Sequence, residues 1–326
     1  MSMRFLTAFL LVLALTIMIL LPGPGQGAPG QSKGAELIKK GQYAEAVDFY
    51  LKERDRSPGD AQANYYLGLS YIYAGKPEES EDPLSRVVVG STGGATAHGA
   101  ASLLYRYRRI RPYSCVQDSL RPPGLIRWNR KTMPLQIYVS DGRMLPGVFD
   151  DLELSPGEHV QVGKWSRNPS FMARLAVSPL YKPIHRQTVM SGYRAWDWAK
   201  SEDLIDYAFT GDPTKADLLV FWCNKLRRYD GVTYHPPLPK GKNYPTVMFI
   251  NLRKSQGPTA ASYQDIIREV AAHEMGHVLG LLHSPNKEDL MYPEGKGKLA
   301  ISSGDRTTLR ALYHMPADVL LAPVPR

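Results

Sequence analysis

The string HEMGHVLGLLH, residues 273–283, decides the fold and the chemistry of this 326-residue chain. His273 and His277 are four positions apart, so on a helix they share one face and can reach one metal ion. Glu274 is turned about 100° from His273 around the helix axis, where it can act on a water molecule instead of binding the metal. Gly280 can adopt a positive φ, end the helix and turn the chain, so that His283 becomes a third ligand.

Three neutral imidazoles with one open coordination position are typical of a catalytic zinc site. A site that only binds zinc is the nearest alternative, but it leaves Glu274 without a role. We therefore predict one catalytic Zn²⁺ held by His273, His277 and His283. The predicted chemistry is hydrolysis by a zinc-activated water, with Glu274 as general base.

A methionine follows this string at a fixed distance. Met291 lies eight residues after His283, in the segment Asp289-Leu-Met-Tyr-Pro293. Here the sequence resembles the metzincin metallopeptidases, and Ser284 together with Leu-Met-Tyr-Pro resembles their matrixin branch. The resemblance covers about 180 residues. It implies a structural Met-turn at Met291 and a twisted, mainly parallel sheet with one antiparallel edge strand, so the expected fold class is α/β. It also implies that an extended substrate pairs with the strand at 246–252.

Apolar runs place the elements of this catalytic domain, for which we predict the bounds 132–316. Strands are predicted at 133–140, 216–222 and 246–252. The zinc helix is predicted over 262–280, and a last helix follows Ser303. Residues 141–190 show no pattern that assigns a structure.

The sequence departs from the matrixin pattern in two places. Matrixins usually carry a second, structural zinc and calcium ions, but residues 224–245 offer only Asp230 and His235 as candidate ligands. One zinc per chain is therefore expected. Tyr292 directly follows Met291, whereas metzincins with a tyrosine ligand place it two residues after the methionine, so Tyr292 is not assigned to the metal.

The first 27 residues have the composition of an export signal. Residues 5–21 form an apolar run, followed by Pro22-Gly-Pro-Gly25 and small residues. The run suits either a cleaved signal peptide or a retained membrane anchor, and both readings stay open. Either one predicts an extracytoplasmic protein, secreted or membrane-anchored, with membrane association through residues 5–21 in the second case.

Residues 33–111 carry helical periodicity and an internal repeat. The segment Gly41-Gln-Tyr-Ala-Glu-Ala46 recurs 34 residues later as Gly75-Lys-Pro-Glu-Glu-Ser80. This spacing resembles a tetratricopeptide repeat and implies a small all-α region in front of the catalytic domain, although a generic helical hairpin remains an alternative. Residues 112–131, basic and rich in proline, are predicted to be a linker.

Composition narrows the choice of partners. The net charge of +9 comes without a nucleic-acid-binding motif, so we predict no nucleic acid as a partner. The resemblance to the metzincins implies hydrolysis of peptide bonds, with a peptide or protein as the substrate. The helical repeats are predicted to offer a surface for a protein partner. The alternative function is an interaction or adaptor protein whose peptidase domain is degenerate or weakly active.

Two cysteines, Cys115 and Cys223, are too few for a disulfide scaffold. Three interpretations stay open. The cysteines form one disulfide, they remain unpaired thiols, or Cys115 acts as the latency switch of a matrixin pro-segment, although the string Arg111-Pro-Tyr-Ser-Cys115 only partly matches that motif.

Overall fold

The structure, a computed structural model, describes residues 29–117, 124–146, 154–224, 230–236, 244–252, 260–295 and 299–315. The chain divides into two compact units between Ser114 and Cys115. The predicted signal peptide or anchor, residues 1–27, lies outside the described residues. Among the helices that are described, none is both long enough and apolar enough to cross a membrane.

The first unit is all α-helical. Its helices are α1 (Pro29–Lys39), α2 (Tyr43–Arg56), α3 (Ala61–Tyr73), α4 (Glu81–Val89) and α5 (Ala95–Arg108). Asp60 caps α3 by accepting hydrogen bonds from the backbone N–H groups of Gln62 and Ala63. The helices occupy the region predicted to be helical, while its resemblance to tetratricopeptide repeats stays a prediction.

Two apolar clusters hold this unit together. The first packs Ile38, Ala46 and Tyr50 against Leu67 of α3. The second packs the other side of α3 against α4 and α5, through residues such as Leu84 and Leu104. Helix α3 is buried between them, and therefore the unit depends on contacts between successive helices.

The second unit is built on a five-stranded mixed sheet. Its strands are β3 (Leu135–Val139), β4 (Tyr207–Phe209), β5 (Leu218–Cys223), β6 (Gly231–Tyr234) and β7 (Thr246–Asn251), while β1 (Val116–Gln117) and β2 (Gly124–Leu125) form a separate antiparallel pair. The sheet order is β4-β3-β5-β7-β6, and every pairing is parallel except β6 with β7. The α/β class and the mixed sheet with an antiparallel edge strand are thereby confirmed.

The position of β7 corrects one expectation. This strand was expected to pair with substrate, but β5 and β6 already occupy its two edges. All six of its residues are buried, as is typical of an internal strand. Among the described strands, the edge of the sheet on this side is β6.

Helices cover the sheet and carry the site. They are α6 (Pro156–Ser166), α7 (Pro169–Arg174), α8 (Pro183–Tyr193), α9 (Asp197–Ser201), α10 (Ala260–Val278) and α11 (Ser303–His314). The first two fall within residues 141–190, where the sequence had assigned nothing, and α8 begins there and ends at Tyr193. Val162 of α6 and Met172 of α7 join Phe221 and Phe249 of the sheet in one buried core.

The segment predicted as a linker differs from that expectation. Leu125 and Trp128 are buried, and the Trp128 indole N–H donates to the carbonyl of Val278, 2.7 Å away. The Arg127 guanidinium donates to the carbonyls of Leu312 and Tyr313. The structure therefore places these residues in the second unit, because their side chains satisfy the carbonyls at the ends of α10 and α11.

Candidate metal centre

Helix α10 presents two histidines on one face. It covers Ala260–Val278, close to the predicted 262–280, and His273 and His277 lie one turn apart with ring centroids separated by 4.9 Å. The opposite side of this segment is buried through Ala271, Ala272 and Met275, each fully inaccessible to solvent. The apolar residues anchor the helix, and the two imidazoles stay partly exposed.

The end of α10 turns the chain toward the third histidine. Gly280 has φ +98°, its N–H donates to the carbonyl of His277, and the Leu281 N–H donates to the carbonyl of Gly276. These two bonds form a Schellman motif, which requires a residue tolerant of positive φ. The turn brings His283 back, so that its Nε2 lies 3.3 Å from Nε2 of His277.

The three imidazoles lie close enough together to share one metal ion. One ligand atom from each of His273, His277 and His283 lies within 4.8 Å of the others. Zinc–nitrogen bonds of about 2.0–2.1 Å in a tetrahedron place the nitrogens about 3.3–3.4 Å apart, and the Nε2–Nε2 distance agrees. This histidine triad therefore fits a zinc site.

Hydrogen bonds fix the orientation of two of these rings. The Nδ1 atoms of His273 and His277 lie 2.8 Å from the carbonyl oxygens of Leu290 and Leu281, respectively. Because a carbonyl oxygen only accepts, each Nδ1 carries the proton and each Nε2 presents its lone pair. Burial lowers the pKa of all three histidines, and that of His277 falls well below its ordinary value. The rings are therefore neutral near pH 7, the form that binds metal.

Glu274 lies beside the triad without joining it. Its carboxylate is nearly inaccessible to solvent and accepts a hydrogen bond from the Thr233 hydroxyl, with 2.8 Å between Oγ1 and Oε2. Burial raises the pKa of Glu274 to about 7, and the bond from Thr233 opposes that rise. A carboxyl group that titrates near neutrality can both take up and return a proton.

Met291 lies beneath the zinc helix. Its side chain is fully buried, and its sulfur occupies the space beside Gly276. Asp305 of α11 holds the backbone of this turn, because its carboxylate accepts from the N–H groups of Leu290 and Met291. The carbonyl of Met291 in turn accepts from the N–H of Ser284, directly after His283.

Two other histidines that could have been metal ligands make hydrogen bonds to backbone carbonyls instead. In the described ranges, His273, His277 and His283 are the group of side chains that can hold a metal. His235 instead donates from Nε2 to the carbonyl of His277, 2.9 Å away. His159 lies against the carbonyl of Pro245, and its pKa is lowered by burial.

The cysteines are unpaired. Cys115 and Cys223 are both free and buried, so the structure does not contain the disulfide that one interpretation required. Burial raises the pKa of Cys115 to about 12, which favours its thiol form. The Cys115 sulfur contacts the backbone of Leu282 and does not belong to the metal-binding group.

Part of the second unit is similar in sequence to a known protein family. Residues 195–314 match the sequence model of the matrixin family. The matched segment contains the three histidines, Glu274 and Met291. Together with the relatives below, this match supports a matrixin-like zinc metallopeptidase domain.

The similarity to individual proteins covers only part of this chain. Stromelysin-2 of Rattus norvegicus is 43% identical over 63 residues, which is 17% of this chain and 13% of that protein. Stromelysin-1 of Equus caballus is 48% identical over 52 residues, 14% of this chain and 11% of that protein. Matrix metalloproteinase-26 of Homo sapiens is 25% identical over 177 residues, 54% of each chain. The chain thus spans between about a tenth and about half of the length of these relatives.

Three side chains that support the site were not predicted from the sequence. Asp305 could have been inferred from Ser302-x-x-Asp305, because the structure contains the capping box that this spacing favours. His235 was noted only as a candidate ligand for a second metal. Thr233 had no signal at all, because its contact with Glu274 joins a strand and a helix 41 residues apart.

Proposed function

We propose that this protein is a zinc-dependent endopeptidase whose substrate is an extended peptide or protein segment. The observation that carries the proposal is the histidine triad, at zinc spacing, next to a buried carboxylate that is not one of its members. A zinc ion bound by His273, His277 and His283 would supply Lewis-acid activation of water and of the scissile carbonyl.

Within this proposal, Glu274 moves the proton. Its carboxylate removes a proton from the attacking water and returns it to the leaving amine, which balances the hydrolysis. The imidazoles keep their Nε2 lone pairs available because Leu290 and Leu281 hold their Nδ1 protons. Met291 serves as the structural residue below them, and the carboxylate of Asp305 holds its turn in place.

Strand β6 is the proposed docking edge for the substrate backbone. It is the last strand of the sheet, and its described residues lie against the zinc helix through Thr233. An extended peptide that adds to this edge acquires main-chain hydrogen bonds that do not depend on its sequence. The proposal therefore favours an endopeptidase that binds an unfolded or extended segment.

Incubation with an unbiased peptide library tests the proposed function. We expect internal cleavages that stop when 1,10-phenanthroline removes zinc and that return on addition of Zn²⁺. Glu274→Gln is expected to retain zinc and lose most of the turnover, whereas the exposed Glu288→Gln serves as the matched control. Absence of cleavage by the zinc-loaded wild type would favour the alternative function of an interaction or adaptor protein.

A further inference from the structure

One face of strand β6 lies directly against the proposed base. Gly231 and Thr233 are two positions apart, so both face the same side of the sheet. The Thr233 hydroxyl is 2.8 Å from Oε2 of Glu274. A Cβ on Gly231 would stand 2.7 Å from Cγ of Glu274, closer than real Cβ contacts allow, and 3.0 Å from Oε1, which is tighter than most of them. The strand thus holds one carboxylate oxygen and leaves just enough space for the rest of the side chain.

The direction of this hydrogen bond is fixed by chemistry. In the ionised form, which is the form that acts as a base, the carboxylate can only accept, so the hydroxyl of Thr233 donates its single proton to Oε2. The carbonyl of Glu274 is a poorer acceptor for the same proton, because it is 3.3 Å away. Among the residues that the structure describes, no side chain or backbone group donates to Oε1. The two oxygens of Glu274 are therefore not equivalent.

We propose that Thr233 is a positioning residue that acts through Glu274. Its hydroxyl holds Oε2 and so directs Oε1 toward proton transfer, while Gly231 provides the space that this rotamer needs. The inference rests on the proposed role of Glu274 as the base. Rotation about the last bond of a glutamate is soft, and a fixed carboxylate reacts more often because it needs no reorientation.

The activity test compares Thr233→Val with Thr233→Ser in the full chain loaded with zinc. Valine keeps the shape and removes the donor, whereas serine keeps the donor. We expect Thr233→Val to lower kcat about tenfold with KM changed less than about twofold, and Thr233→Ser to keep kcat within about threefold of wild type. Thr188→Val is the matched control, because it also deletes a buried hydroxyl, one that donates only to the carbonyl of Ile184.

A second readout does not depend on activity. Crystal structures of the same variants report the conformation of the Glu274 side chain. We expect one carboxylate orientation in wild type and in Thr233→Ser, and a rotated or divided one in Thr233→Val. In Gly231→Ala the new Cβ would crowd Cγ of Glu274, and equally Cγ1 of Val270, at 2.7 Å, so this variant should displace Glu274 and lower kcat even with Thr233 present.

The possible results distinguish failure of the positioning role of Thr233 from failure of the proposed peptidase function. Wild-type kcat in Thr233→Val, or equal losses in the valine and serine variants, would overturn the positioning role. If wild type itself cleaves no peptide, the proposed function fails, and the crystal structures still decide whether Thr233 orients Glu274. An unchanged Glu274 conformation in both Thr233→Val and Gly231→Ala would then reject the inference on its own.

Discussion

Replacement of Gly280 by alanine should destabilise the second unit strongly. Gly280 has φ +98°, and a non-glycine residue in a left-handed conformation costs about 1–2 kcal/mol. A Cβ at this position would also stand 1.8 Å from the carbonyl oxygen of Ile126, a backbone atom that cannot rotate away. The chain at Ile126 must therefore move.

That movement disturbs the hydrogen bonds that follow Ile126. Trp128, two residues later, donates to the carbonyl of Val278 at the end of the zinc helix. Loss of one buried hydrogen bond of this kind costs about 1–3 kcal/mol. Together with the backbone strain, we expect Gly280→Ala to reduce the free energy of unfolding by about 2–5 kcal/mol.

Urea unfolding followed by tryptophan fluorescence measures this loss. All five tryptophans lie between residues 128 and 222, so their emission reports the second unit alone. Gly157→Ala is the matched control within that unit, because a Cβ there meets no atom within 4 Å. A free energy of unfolding for Gly280→Ala within about 0.5 kcal/mol of wild type, the range of ordinary surface substitutions, would refute the reasoning.

Further predictions concern the same unit. Asp305→Ala should lower the free energy of unfolding by about 2–3 kcal/mol, measured by urea unfolding, because buried N–H groups lose their acceptor. In chelator-treated protein, stability should fall as pH drops below about 6.5, because the folded state lowers the pKa of His159 and the unfolded chain takes up that proton more readily; His159→Gln should reduce this slope. Thiol titration should find Cys115 and Cys223 reactive only after unfolding, since both are buried. A fragment of residues 115–326 should unfold cooperatively, as monitored by fluorescence, since it is a compact unit.

The zinc helix and the long strands were predictable because their signals are local. The periodic apolar residues of α10 favour a helix, and the short apolar runs of β5 and β7 favour buried strands. Strand β6 carried no such run, because its four residues are only partly buried. Substrate pairing was expected at β7, but the actual edge strand, β6, precedes it in the sequence.

Features that depend on distant partners were beyond sequence reasoning. The composition of residues 112–131 is that of a linker, yet Trp128 is buried because the end of α10 offers it a carbonyl 150 positions away. The contact between Thr233 and Glu274 likewise depends on how a strand meets a helix. Such pairings are set by the three-dimensional packing, and a single sequence shows no period or spacing for them.

The bonds around the end of α10 also set an order of assembly during synthesis. Val278 accepts from Trp128, made long before it, and the turn at Met291 depends on Asp305, made after it. A nascent chain that has left the ribosome as far as the triad, but not as far as α11, therefore still lacks Asp305, which holds the turn at Met291. Contacts between distant parts of a chain slow folding, because the loop between them must close first. We expect the proposed peptidase activity to arise only once the final helix has emerged.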